Sequence, residues 1–280
     1  MGKKIKSEMD KQKVLFVDGA VKRGVDKAQA ANIFELVAKF ANYGFNKSHA
    51  AAYALVSYQT GYLKAHYPKE FLAASMTLDM GNTEKLNDFK REANRLNVEV
   101  KPPCVNTSEV HFSVHGEAIH YSLCAVKGVG RNVAEHIVDV RGDQPFTDLA
   151  DFSARVDPKI VNRRTLETLT CAGAFDEMGL RREDVMSLVD TIISSAQRAT
   201  SNRREGVIDM FSADRPEPIV PAKGIKPWPL SERLAKEFSA IGFYLSAHPL
   251  DDHKSLYTEN YAQSWVSFEK AARGGARAGR

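Results

Sequence analysis

Cysteine is scarce in this 280-residue chain: Cys104, Cys124 and Cys171 stand far apart with no CxxC spacing. That rules against a disulfide scaffold and a thiolate zinc site, and it fits a reducing, cytoplasmic compartment. No run of about 18 apolar residues offers a membrane-spanning helix. The charged start, Met1-Gly2-Lys3-Lys4-Ile5-Lys6, leads into no apolar signal segment, and Gly2 is followed by nothing membrane-like. No Asp-Xaa-Asp occurs anywhere. Glu8 and Asp10 come nearest, but an i, i+2 pair on a helix does not converge. Acids are also missing from the last eleven residues, whose Lys270, Arg273, Arg277 and Arg280 carry +4, the net charge of the whole chain. The other 269 residues are therefore neutral, and bulk charge gives no argument for nucleic acid; local placement must.

What is present is globular: 43% hydrophobic and 26% charged residues exclude global disorder. The first part reads as successive helices. Ser7-Glu8-Met9-Asp10 resembles a capping box, with Val14, Leu15, Val17 and Val21 behind it and Gly24 as a stop. Asp26 opens the next helix, whose apolar side is Ile33, Phe34, Val37 and Phe40. Ser48 opens a long helix to Tyr67. Pro68 starts another through Phe71, Leu72 and Met76, and Thr83 caps one more to Asn97. The pattern changes at Val98 and Val100, which alternate with polar residues before Pro102-Pro103. Residues 111–114 and 117–121 flank His115-Gly116 as a β-hairpin. A domain boundary is expected at 98–105. Short helices follow to about Ala199. Five prolines between 216 and 229 then mark a linker, a helix covers about Ser231–Ile241, and the tail reads as disordered.

The strongest motif is Leu123 to Val138, a helix-hairpin-helix. Leu123 and Val126 face inward from the first helix. Gly128-Val129-Gly130 makes the turn, and Ala134, Ile137 and Val138 face inward from the second. The glycines permit a tight turn and close backbone approach. Amides opening the second helix lack intrahelical acceptors and suit a DNA phosphate. Lys127 and Arg131 add charge. The contrasting reading is a plain packing unit with solvated charges. Residues 159–172 form a weaker second copy, with Ile160, Leu166 and Leu169 on one side and Arg163-Arg164 on another, running into Ala172-Gly173-Ala174-Phe175. Gly44-Phe45-Asn46-Lys47-Ser48-His49 leads a loop into a helix beside a lysine, a reasonable polyphosphate site. Its alternative is an ordinary Ser48 cap with solvated neighbours. His111, His115 and His120 lack a fourth metal ligand, and Ser48-His49 lacks an acidic orienter for a hydrolase triad. Trp228 and Trp265 read as packing residues.

The run Lys39-Phe40-Ala41-Asn42-Tyr43-Gly44-Phe45-Asn46-Lys47-Ser48-His49-Ala50-Ala51-Ala52-Tyr53, with its continuation through Gln59 and Leu63–Phe71, closely resembles the fingers of the bacterial replicative polymerases, the α subunits of DNA polymerase III. Lys127-Gly128-Val129-Gly130, Asn162-Arg163-Arg164, Ala172-Gly173-Ala174-Phe175-Asp176 and Gly242-Phe243-Tyr244-Leu245-Ser246-Ala247-His248-Pro249 fit the same family in the same order. The resemblance covers roughly residues 1–253. It implies a mainly α chain: helical fingers, then a small α+β region with a β-hairpin and tandem helix-hairpin-helix, with no palm and no complete oligonucleotide-binding barrel. The implied divisions are 1–97 fingers, 98–200 hairpin region, 201–229 linker, 230–253 helical segment and 254–280 tail.

The resemblance also implies roles. Asn46, Lys47 and His49 become candidates for the incoming nucleoside triphosphate or the template. Lys127, Gly128, Val129, Gly130, Arg131, Arg163 and Arg164 become candidates for duplex and primer-template DNA. Asp209, Met210 and Phe211, within Val207-Ile208-Asp209-Met210-Phe211, match the short peptide with which the family docks in its sliding clamp, although Val207 stands where the usual form has Gln. Other replisome subunits are further partners, and a membrane is not. The complete polymerase needs Mg²⁺ on palm carboxylates. This chain holds no such pattern, so it is expected to carry no cofactor, to be inactive alone and to start after the palm. The alternative is a freestanding, sequence-independent DNA-binding module.

Overall fold

The computed structural model describes residues 6–42, 47–205, 218–259 and 265–273. The chain divides into two compact units, Met1–Leu63 and Lys64–Arg280. The division falls before the expected 98–105, because the helices over 68–78 and 83–95 share one core with residues from 98 to 245.

In the first unit, α1 (Lys6–Val21) packs on α2 (Lys27–Asn42). The break is made as the sequence predicts. Gly24 takes φ +85°, and Asp26 Oδ1 accepts from the amides of Ala28 and Gln29 at 2.9 and 3.0 Å. Two helices meet along one seam only. Val17, Ala30 and Phe34 are therefore buried, with Phe16 against Phe34 at 5.6 Å between ring centroids. Val14, Leu15, Ile33 and Val37, expected on the inner faces, are exposed. Helix α3 (Lys47–His66) follows.

In the second unit, Pro68 occupies the first turn of α4 (Pro68–Leu78), where its missing N–H costs nothing. Asn82 rather than Thr83 caps α5 (Thr83–Arg95), its Oδ1 accepting from Lys85 N at 3.1 Å. Leu72, Met76, Leu86 and Ala93 from these two helices enter the core formed by the rest of the unit. A three-stranded sheet comes next, in the order β1 (Glu99–Lys101), β3 (Ala118–His120), β2 (Ser113–His115). The hairpin β2–β3 is antiparallel, pairing Val114 with Ile119, and β1 adds in parallel, pairing Val100 with Ile119. Ile119 sits at the centre, fully buried.

The remaining helices are α6 (Arg131–Arg141), α7 (Leu149–Arg155), α8 (Arg163–Ala172), α9 (Arg182–Ser187), α10 (Val189–Glu205) and α11 (Leu230–Ile241), then α12 (Lys254–Glu259) and α13 (Trp265–Arg273). The architecture is mainly α with one small sheet. Helix α10 runs past the expected linker start at 201 to Glu205, since no proline intervenes before Pro216. The tail expected to be disordered from 254 contains α12 and α13. The segment expected as a separate 230–253 piece contributes Ala240, Ile241, Phe243 and Leu245 to the common core. No helix among the described residues is long and apolar enough to cross a membrane.

Candidate nucleic-acid interface

The first hairpin is shorter than its sequence suggests. Its leading helix is one 3₁₀ turn, Leu123–Ala125, capped by Ser122, whose Oγ accepts from Ala125 N at 3.2 Å. Val126 and Val129 are buried, and Val129 N donates to Val126 O at 3.0 Å to close the turn. Gly128 takes φ +76°, a left-handed conformation that a β-carbon disfavours. Gly130 has an ordinary φ of −74° and stands as the N-cap of α6 without a side-chain cap bond. The turn is fixed from outside as well: Lys127 N donates to Ala240 O of α11 at 2.8 Å.

The second copy divides into a turn and a helix. Asp157 O accepts from Ile160 N and Val161 N at 3.0 and 2.9 Å, and Asn162 Oδ1 caps α8 through Thr165 N at 3.0 Å. Leu166 and Leu169 are buried while Arg163 and Arg164 are exposed. The two copies are linked directly, because His136 Nε2 of α6 accepts from Asp157 N at 2.8 Å. That bond needs a neutral ring acceptor, and burial, the largest influence, lowers the His136 pKa below its ordinary value.

Between the first turn, α8 and α11 lies an open groove of about 510 Å³. Lys127 and Gly128, Arg164 and Lys236 line it together, with Glu167 as the acidic member. Three cations from three separated elements thus converge beside the Gly128 turn. Glu167 accepts from Arg163 at 2.9 Å, and Arg163 also pairs with Asp190. Arg131 pairs with Glu135 at 2.7 Å. Arg131 and Arg163, predicted as DNA contacts, are both exposed and carry acidic neighbours on their own helices. Exposed pairs of this kind are weak and open readily. Lys236 was not singled out by sequence. Its Nζ lies 4.6 Å from the Trp228 ring centroid, and its only sequence signal is a cation on the polar face of an amphipathic helix.

The groove's walls are held by a buried ion network. Arg182, 5% exposed, donates to Glu237 Oε2 at 3.0 Å, to Asp176 Oδ2 at 2.8 Å and to Cys171 O at 3.0 Å. Glu237, 1% exposed, also accepts from Leu245 N and Ser246 N at 2.7 and 2.8 Å. Burial works to raise the Glu237 pKa, but Ser246, Leu245 and Arg182 together hold it below the ordinary range. Gly173, at φ +86°, leaves the space that the Arg182–Asp176 pair occupies; a Cβ there would lie 2.7 Å from Asp176 Oδ2.

Residues 97–185, which contain both hairpins, match the helix-hairpin-helix motif family. Over most of its length the chain aligns with a curated set of bacterial proteins. It is 46% identical to the DNA polymerase III subunit alpha of Caulobacter vibrioides over 253 residues, 90% of this chain and 22% of that protein. The corresponding subunit of Vibrio cholerae is 46% identical over 264 residues, and that of Escherichia coli K12 is 44% identical over 258. This chain is related to part of the α subunit of bacterial DNA polymerase III. It spans about a fifth of the length of the α subunits it matches, 22% of the Escherichia coli protein.

Asn46 lies outside the described residues, and Lys47 begins α3. His49 is exposed on the first turn of α3, its ring 4.3 Å from that of Tyr53. Asp209, Met210 and Phe211 lie outside the described residues. Among the described residues no group of three or more His, Cys, Asp or Glu is placed to hold a metal ion.

Proposed function

We propose that this chain serves a DNA-templated DNA polymerase by gripping the primer–template duplex. The observation that carries this reading is the convergence of Lys127, Arg164 and Lys236 on one groove beside the Gly128 turn and the uncapped start of α6. Phosphates of one strand would be met by the α6 amides and Lys127, and Arg164 and Lys236 would add charge along the same track. Contacts of this kind are made to backbone and not to base edges, so binding is independent of sequence and weakens steeply with salt.

The family relationship supports the finer assignments. Asn46, Lys47 and His49 would contact the incoming deoxynucleoside triphosphate or the template, and Asp209, Met210 and Phe211 would dock in the sliding clamp, in a cytoplasmic replisome. In this reading the Mg²⁺ ions of polymerisation are held by carboxylates other than those described.

The test is duplex binding by the 280-residue chain, followed by fluorescence anisotropy on two blunt duplexes of unrelated sequence. Equal affinities for the two, with a linear fall of log K against log salt, are expected. No binding at low salt would overturn the reading, as would a preference for one sequence.

A further inference from the structure

A second groove, of about 790 Å³, opens on the other side of Lys127. One wall is α5, presenting Glu84, Asn87, Arg91 and Asn94 at helical spacing. The opposite wall is the end of α11 and the segment that follows it, with Phe238, Tyr244 and His248. Phe238 is 44% and Tyr244 36% exposed, and their rings stand 5.2 Å apart between centroids. His248 flanks Tyr244 at 6.5 Å. Large aromatic rings left partly open in a groove call for explanation, since nearby Phe243 and Tyr121 are fully packed.

The groove's backbone is stiffly made. Gly242 takes φ +102°, and a Cβ there would meet Thr83 Cγ2 at 2.8 Å and Lys127 Cε at 3.1 Å. Lys90 Nζ crosses from α5 to donate to Tyr244 O and Leu245 O, both at 2.8 Å. Two walls separated by more than 140 residues are thus tied together, and the Tyr244 ring is held on a fixed loop. Lys127 lines this groove and the duplex groove alike, its Nζ 6.0 Å from the centre of the Phe238 ring.

We propose that this groove binds unpaired DNA, stacking bases on Phe238 and Tyr244 where a single strand leaves the duplex held beside Lys127. The combination of features selects this occupant. Cations beside open aromatic faces are the arrangement that binds single strands without sequence preference. Asn87 and Asn94 supply amide groups for base edges, and Lys127 stands where a backbone phosphate would pass from one groove to the next. An acidic peptide would satisfy the charge of Lys127, Arg91 being already paired with Asp88 at 2.6 Å, but would leave the paired rings without a flat partner. The inference rests on the duplex reading for Lys127, and the experiment separates the two.

The 280-residue chain is titrated with a blunt duplex, with the same duplex carrying a 3′ or a 5′ overhang of mixed sequence, and with the overhang carrying 2-aminopurine. Wild type is expected to bind one of the overhang duplexes at least about 5-fold more tightly than the blunt one, with quenching of the 2-aminopurine by stacking. The double variant Phe238→Leu/Tyr244→Leu keeps apolar bulk but removes the flat faces. It should lose both the gain and the quenching while its affinity for blunt duplex is unchanged. Tyr244→Phe alone should retain both. No gain from either overhang in wild type overturns the proposal, as does a gain that survives in the double variant. Loss of blunt-duplex binding in wild type would instead overturn the duplex reading. If the double variant melts at a lower temperature than wild type, the wild-type quenching and its competition by an unlabelled single strand decide the matter; quenching that the competitor does not relieve counts against the groove.

Discussion

Arg182 and Glu237 meet at 3.0 Å in the interior of the second unit, 55 residues apart in sequence, and each is almost wholly enclosed. This pair ties the start of α9 to α11, and the bond from Arg182 to Cys171 O extends the tie to the end of α8, joining two walls of the basic groove. A buried pair is a poor source of net stability, because desolvation offsets most of the attraction. Its removal from one side is another matter, since the surviving charge has no water to replace its partner.

Glu237→Ala should therefore destabilise the second unit by about 3–5 kcal/mol. The loss arises from the stranded Arg182 and from the two amides, Leu245 N and Ser246 N, left without an acceptor. Urea denaturation monitored by circular dichroism measures it. A change below about 1 kcal/mol would show that the network is dispensable.

The two hairpin glycines should behave differently. Gly128→Val places a β-branched side chain at φ +76°, a strain of about 1–3 kcal/mol that the turn can relieve only by moving Lys127. Duplex affinity should fall sharply while helix content is largely kept. Gly130→Ala meets open space at an ordinary φ and should change affinity little. Anisotropy titration at low salt, beside far-ultraviolet circular dichroism, distinguishes the two outcomes.

The groove cations should report through salt. Lys127→Ala, Arg164→Ala and Lys236→Ala are each expected to weaken duplex binding equally across sequences. Each should also make the slope of log K against log salt shallower by about 0.9. Arg131→Ala and Arg163→Ala should act less, because neither side chain lines the groove. Equal effects at all five positions would mean that the groove is not the track.

Acid should loosen the joint between the hairpins. His136 Nε2 accepts a hydrogen bond from the Asp157 amide, and its pKa is lowered in the fold. A lowered folded pKa means that its contribution is present above the unfolded value, near pH 6.5, and fades as pH falls further through the folded value. The melting temperature should therefore decline below about pH 6.5. His136→Gln, which can still accept through its amide oxygen, should flatten that part of the profile. An identical profile for wild type and variant would remove His136 from the account.

Cys104 is expected to be inert. Burial, with the neighbouring Glu177 carboxylate 3.0 Å from its Sγ, pushes the thiol up to about 11. Iodoacetamide at pH 8 should label it only on denaturation, as peptide mass spectrometry would show. Rapid labelling of the native chain at that pH would contradict the packing.

Much of the molecule is legible in its sequence alone. The stop at Gly24, the start at Asp26, the proline opening of α4, the β2–β3 hairpin and the Gly128 turn are each set within a few residues by φ preference, capping geometry or period. Local interactions decide such features, so local sequence carries them. Burial depends on more than local pattern. Apolar period marked Val14, Leu15 and Ile33 for burial, but a stripe states which residues can be buried and not how much partner surface exists.

The groups brought together across distance belong to the tertiary structure alone. Sequence offered Lys127 and Arg164 as cations near glycine turns, and held no reason to add Lys236 or to leave Arg131 and Arg163 out of the groove. It kept α4, α5 and residues 240–245 apart from a core that they share with the hairpins. Pairing Arg182 with Glu237, His136 with Asp157, and Lys90 with Tyr244 depends on how the helices pack, and packing is fixed by the sum of many side-chain contacts that no short window contains. The sequence by itself determined the turns, the helices and the kinship; the fold decided which charges share a groove, because only three-dimensional closure makes distant residues neighbours.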